Sequence, residues 1–281
     1  MPWYAYLIIN VCVFSLATLY QRVILKNSKD PVIFYVVNGI GAGLMLLLYG
    51  LWMGFKIPNI TDISLNLIIL TIFLGFGNML NFNALKKVDA SEFTVLFSTR
   101  AIWSVIGAVL ILGEAFGLKQ IAGTSLIIAS VFLVSWKKKS FSLNEGEMLT
   151  LAAAAFFGLE FINDTYLLNE VDLFFYLPLI FLLPALFIGT LNYKKIAKIQ
   201  NYVSIKEFLK LMVLALMFAV SATATLTAYT LGHNAAQIAV LNQTSTILIV
   251  FLGIIFLNER SHMKLKIAAA IISLIGVFLV K

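Results

Sequence analysis

The chain has 281 residues, 61% of them hydrophobic and 12% charged, with a mean hydropathy of +0.99. A soluble domain carries about twice that charged fraction and cannot hide so much apolar surface, so the composition specifies a membrane protein. The formal net charge of +7 comes from basic residues dispersed over loops, a pattern of membrane orientation and contact with anionic lipid rather than of a nucleic-acid surface.

Apolar stretches near the length that crosses a hydrocarbon core of about 30 Å fall at 4–25, 32–53, 64–85, 90–112, 117–136, 147–168, 172–192, 207–230, 236–257 and 264–280. The start, Met1-Pro2-Trp3-Tyr4, lacks the basic region of a cleaved signal peptide, so the first span is expected to be retained. Lys26 to Asp30 ends that span, and Pro31 opens the second in the favoured first-turn position. Gly39 and Gly43 form a G-x-x-x-G face suited to close helix contact. Lys137 to Lys139 closes the fifth span, and the polar run to Glu147 joins the two halves. Pro178 and Pro184 fall inside span seven, where proline bends a helix. The basic loop from Tyr193 to Lys206 is expected to lie along the membrane surface.

Sixteen lysines and arginines follow odd-numbered spans, against Lys56, Lys119 and Lys281 on the other side. Positive loops mark the cytoplasm, so both termini are expected outside the plasma (inner) membrane. The expected fold class is an all-α polytopic membrane protein of ten transmembrane helices. These form two five-helix repeats of inverted topology, over 1–140 and 141–281, the plan of a secondary transporter.

Several chemistries are excluded. No G-x-x-x-x-G-K-[ST] string offers an ATP site. The single Cys12 permits no multi-cysteine metal site, and His233 and His262 are too few for a typical zinc enzyme. Neither a metal nor a cofactor is expected. A serine hydrolase would need a Ser–His or Ser–Lys pair at depth; no G-x-S-x-G occurs, and His233 falls in a short loop. The chain is not expected to be an enzyme.

The halves align at a constant offset of 145, matching Ala90 to Ala235, Val95 to Val240, Thr99 to Thr244 and Glu114 to Glu259. The stretch Leu112-Gly113-Glu114, then Gln120, Gly123 and Leu126-Ile127-Ile128 resembles the EamA-type transporters of the drug/metabolite transporter superfamily. In the second copy Asn258 replaces the glycine, and Lys266 falls near the glutamine position. The resemblance implies a ten-helix carrier with its substrate cavity between the halves, chiefly lined by spans one, three, four, six, eight and nine. Glu114 and Glu259 sit at helix exits, where a carboxylate meets water, backbone donors or a basic side chain, and are expected to be structural.

The deepest charge is Arg100, eleventh in span four, where an ionised side chain costs about 2.5–3.5 kcal/mol by insertion scales. Glu160 and Asp164, four apart in span six, share a helical face and are its candidate partners. One reading is a fixed Arg100–Glu160 bridge between the halves. In the other, Arg100 takes a substrate carboxylate or phosphate, while Glu160 or Asp164 takes an amine or a coupling proton. Asn78, Asn81, Asn163, Tyr229, Asn242, Gln243 and Thr246 are the uncharged polar candidates, and Trp103 is either a stacking platform or lipid-facing filler. The expected function is gradient-driven transport of a small polar metabolite, an amino acid or another carboxylate-bearing solute, by a protein in contact with membrane lipid and not with nucleic acid. Rival readings are an exporter of neutral or lipophilic compounds, a lipid-linked sugar flippase, or a non-transporting structural or signalling subunit.

Overall fold

The computed structural model describes residues 2–112, 117–137, 140–141, 143–232, 242, 244–259 and 261–280. Their helices are α1 (Trp3–Lys26), α2 (Pro31–Met53), α3 (Ile60–Lys87), α4 (Ala90–Phe97), α5 (Arg100–Leu112) and α6 (Leu118–Ser135). They continue with α7 (Glu145–Glu170), α8 (Leu173–Leu191), α9 (Tyr193–Ile196), α10 (Ile205–Gly232), α11 (Thr244–Phe256) and α12 (Met263–Val280). Among the described residues, α1, α2, α3, α7, α8 and α10 are long and apolar enough to cross a membrane. The protein is a helical, multi-pass membrane protein. Its outer surface is apolar, with Leu48, Leu65, Leu110, Phe256 and Phe278 all exposed, as lipid contact requires.

Local chemistry sets the helix starts. Asp30 caps α2, its Oδ1 accepting from the Val32 and Ile33 amides at 2.9 and 3.3 Å, with Pro31 in the first turn. Asn144 and Glu147 form a reciprocal capping box on α7. Asp172 caps α8 through the Phe174 amide at 2.8 Å. Between α6 and α7, Trp136–Lys137 and Ser140–Phe141 pair as two-residue antiparallel strands, a small departure from the all-α expectation. The basic loop after α8 folds into α9 and a 3-10 turn at Ile199–Asn201.

The stretch 90–112, expected as one continuous span, is broken at Ser98 and Thr99. The break leaves few polar groups stranded. The Ser98 and Thr99 amides make tight turns onto Val95 and Leu96, and their hydroxyls donate to the same carbonyls at 2.6 and 2.8 Å. Side-chain hydroxyls thereby satisfy a backbone that lipid could not. The Ser273 hydroxyl from α12 reaches Ser98 Oγ at 2.5 Å. α4 is buried along its whole length.

Packing is dominated by four pairs: α3 with α7, α1 with α10, α2 with α8 and α6 with α12. The Gly39–Gly43 face meets α8: a Cβ on Gly39 would lie 2.7 Å from Ala185 Cβ, and one on Gly43 2.4 Å from Leu182 Cγ. Close backbone approach at this seam is what the small residues permit. Pro178 and Pro184 lie within α8 without ending it.

Candidate solute-binding site

A cavity of about 330 Å³ lies among α1, α2, α3, α4, α5, α7, α8, α10 and α11. Beyond the spans that the resemblance implied, α2 contributes Tyr35, Asn38 and Gly39, and α8 contributes Ile180 and Phe181. The tight α2–α8 seam brings those two helices to the wall.

Arg100 opens α5 just after the break and lines this cavity. Its guanidinium carbon sits 5.2 Å from the centroid of the Phe97 ring, a cation–π contact across the break. Among the described residues it forms no ion pair. Gly158 of α7 lets α5 approach: a Cβ there would lie 2.3 Å from the Arg100 carbonyl oxygen and 2.6 Å from Trp103 Cβ.

The expected Arg100–Glu160 bridge is absent because each carboxylate is held by its own neighbours. Glu160, 1% exposed, does not line the cavity, and its Oε1 accepts from Asn163 Nδ2 at 3.0 Å. Asn163 is in turn tied to Asn66, whose Nδ2 donates to its Oδ1 at 2.8 Å and whose carbonyl accepts from it at 3.0 Å. Asp164 does line the cavity, and accepts a hydrogen bond from the Tyr176 hydroxyl. The arginine and one acidic side chain therefore share the void, and the second acidic side chain stands behind it.

Asn78, Asn81 and Asn242 also face the cavity. Asn78 donates to the Leu74 carbonyl at 2.9 Å. Asn242 accepts from Asn10 at 2.8 Å, and Asn10 accepts from the Ser221 hydroxyl at 2.5 Å, a polar layer spanning both halves. Asn163, Thr246, Trp103 and Tyr229 do not line it. Trp103 is 37% exposed on the outer face, and Tyr229 packs with Leu7, Ala228, Trp3 and Tyr6. Gln243 and Glu114 lie outside the described residues. The cavity also takes in Asn10, Gln21, Tyr35, Asn38 and Ser221, which the sequence reading did not select. Asn10, Gln21 and Asn38 do carry the signal used for Asn78, a polar residue inside an apolar span.

Glu259 is a structural cap. Its Oε1 accepts from the Ala90 amide at 2.9 Å, and its Oε2 accepts from the Ser91 amide at 3.0 Å and the Ser91 hydroxyl at 2.5 Å. A carboxylate from the second half thus closes the N-terminus of α4 in the first. Asn258 takes φ +57°, the left-handed conformation favouring glycine and then asparagine, which explains how asparagine stands in the glycine position of the motif. Beside it Asp89 binds Lys266 at 2.6 Å and Arg22 at 3.8 Å, while Arg22 also donates to the Leu85 and Lys86 carbonyls at 2.8 Å. The basic end of the molecule is knit together by these contacts.

A multi-pass helical protein with an internal cavity lined by aromatic, amide and charged side chains has the form of a membrane transporter. Residues 1–136 match the EamA-like transporter family, and the chain is similar to the EamA-type transporters of the drug/metabolite transporter superfamily. A crystal structure described only as that of a protein shares the fold, with a TM-score of 0.63 and 14% identity over 97% of this chain and 96% of the other. No curated protein matches the sequence.

Proposed function

We propose that the protein is a gradient-driven carrier of a small polar metabolite bearing a carboxylate, most simply an amino acid. The observation that carries this reading is Arg100: a guanidinium facing a cavity at membrane depth with no ion pair among the described residues. A buried charge left without a partner is costly, and a carboxylate-bearing solute supplies the partner in two parallel hydrogen bonds. Glu160 and Asp164, interacting one turn apart on α7, provide a protonatable pair for coupling to a proton gradient.

The helix pairs support the ten-span, inverted-repeat plan. Under the 145-residue offset, α1 corresponds to α7 and α3 to α10, so the α3–α7 and α1–α10 seams exchange with each other. In this reading the halves rock about the cavity, odd loops face the cytoplasm and both termini lie outside the plasma membrane.

A second reading is favoured by the wall itself. Phe14, Phe82, Phe97, Phe157, Phe181 and Phe218 give the cavity an aromatic surface suited to lipophilic compounds. Counterflow in proteoliposomes separates the two, using a panel of labelled amino acids and organic anions with and without a pH gradient. A carboxylate carrier loses at least tenfold in apparent affinity with Arg100→Gln, and the variant stays folded because no ion pair is broken. Full affinity in that variant refutes the carboxylate reading and favours the aromatic one.

A further inference from the structure

Four buried side-chain atoms, Gln21 Nε2, Tyr35 Oη, Asn38 Oδ1 and Asn81 Oδ1, have no hydrogen-bond partner among the described residues and gather in one place, whereas another such atom, Thr124 Oγ1 of α6, lies away from them. All four belong to residues that line the cavity, and Gln21, Tyr35 and Asn38 are only 2%, 4% and 3% exposed. Native structures leave few such groups unmade, and each calls for an explanation. Their clustering against one void points to a ligand.

Their level in the molecule differs from that of Arg100. At 1.5 Å per residue, Tyr35 and Asn38 lie about 6 and 10 Å along α2 from Pro31, Gln21 about 7 Å from the end of α1, and Asn81 about 9 Å from the end of α3. Those helix ends meet at the basic end, where Arg22 bonds the Leu85 and Lys86 carbonyls. Arg100 stands beyond the whole of α4, which starts at the same end, and across the break at Ser98–Thr99. The four groups therefore lie nearer the basic end of the cavity than Arg100 does.

We infer that Gln21, Tyr35, Asn38 and Asn81 form a second subsite that takes an uncharged amide or hydroxyl at the far end of the solute from its carboxylate. The inference rests on the carboxylate reading of Arg100 and extends it to the rest of the molecule carried. None of the four residues carries a charge. Amide and hydroxyl groups both donate and accept, so a solute group of that kind meets phenol, carboxamide nitrogen and carboxamide oxygen alike. An alkyl end leaves all four unpaired, and an ionised end has no counter-ion there.

The test uses matched carboxylates as probes, L-glutamine against L-norleucine and succinamate against 4-methylpentanoate, titrated by calorimetry into the purified full-length protein. Wild type is expected to bind the amide member of each pair at least tenfold more tightly. Gln21→Leu and Asn38→Leu should cut that preference below threefold without weakening the alkyl members. Both variants should melt no lower than wild type, since each removes an unsatisfied polar group. Equal binding of amide and alkyl members by wild type, or an undiminished preference in both variants, overturns the subsite while leaving the carboxylate reading intact. If no probe binds wild type, or if Arg100→Gln binds all four as wild type does, the carboxylate reading falls and the subsite with it.

Discussion

Replacing Glu259 by alanine removes the acceptor of three hydrogen bonds at once: those from the Ala90 amide, the Ser91 amide and the Ser91 hydroxyl. Each bond to a charged acceptor contributes about 1.5–3 kcal/mol, and the carboxylate at a helix N-terminus adds about 0.3–1 kcal/mol. Glu259 is 7% exposed, so water replaces it poorly. Three neutral donors are left behind at about 1–3 kcal/mol each when unsatisfied, and with some compensation the loss should fall at about 3–5 kcal/mol. Glu259→Gln keeps one acceptor but turns an amide nitrogen toward a donor, and should cost about 2–3 kcal/mol. Ser91→Ala removes a single donor and should cost about 1 kcal/mol. Unfolding in mixed detergent–SDS micelles measures all three. The double variant Glu259→Gln, Ser91→Ala should be less damaged than the sum of the singles, because the two groups contact one another. A loss below about 1 kcal/mol for Glu259→Ala, or strict additivity in the double variant, would show that the cap does not hold α4 to the second half.

Two further outcomes test the local geometry. Gly158→Ala puts a methyl 2.3 Å from the Arg100 carbonyl oxygen; backbone cannot swing aside, so overpacking should cost about 1–3 kcal/mol. The same shift of α5 should weaken solute binding, and an unchanged melting temperature with wild-type affinity contradicts this account. At Asn258, with φ +57°, substitution by glycine should preserve or slightly raise the melting temperature. Valine should lower it, by about 1–2 kcal/mol in stability, through its clash in the left-handed region. The reverse order rules out that backbone assignment.

The membrane class and most helix limits were legible in the sequence, because an unbroken apolar run has only one use at that length. Arg100 was legible for the opposite reason, since a charge at depth is too costly to be incidental. Its surroundings were not. Glu160 and Asp164 have the right spacing to meet it on one face, yet Asn163, itself tied to Asn66 of α3, bonds the first and Tyr176 of α8 bonds the second. The break at Ser98–Thr99 was hidden because hydroxyl side chains satisfy the interrupted backbone from within the run. Gln21 and Asn38 are polar residues inside apolar spans, and only the convergence of α1, α2 and α3 makes them face one void.

Length, hydropathy and charge bias act along the chain, so the sequence alone determined that this protein spans a bilayer and singled out Arg100 as a charge within an apolar stretch. Which side chains share a cavity, and which carboxylate caps a helix in the opposite half, depends on contacts between residues as far apart as Ala90 and Glu259. Those meetings are decided by helix packing, and only the tertiary structure contains them.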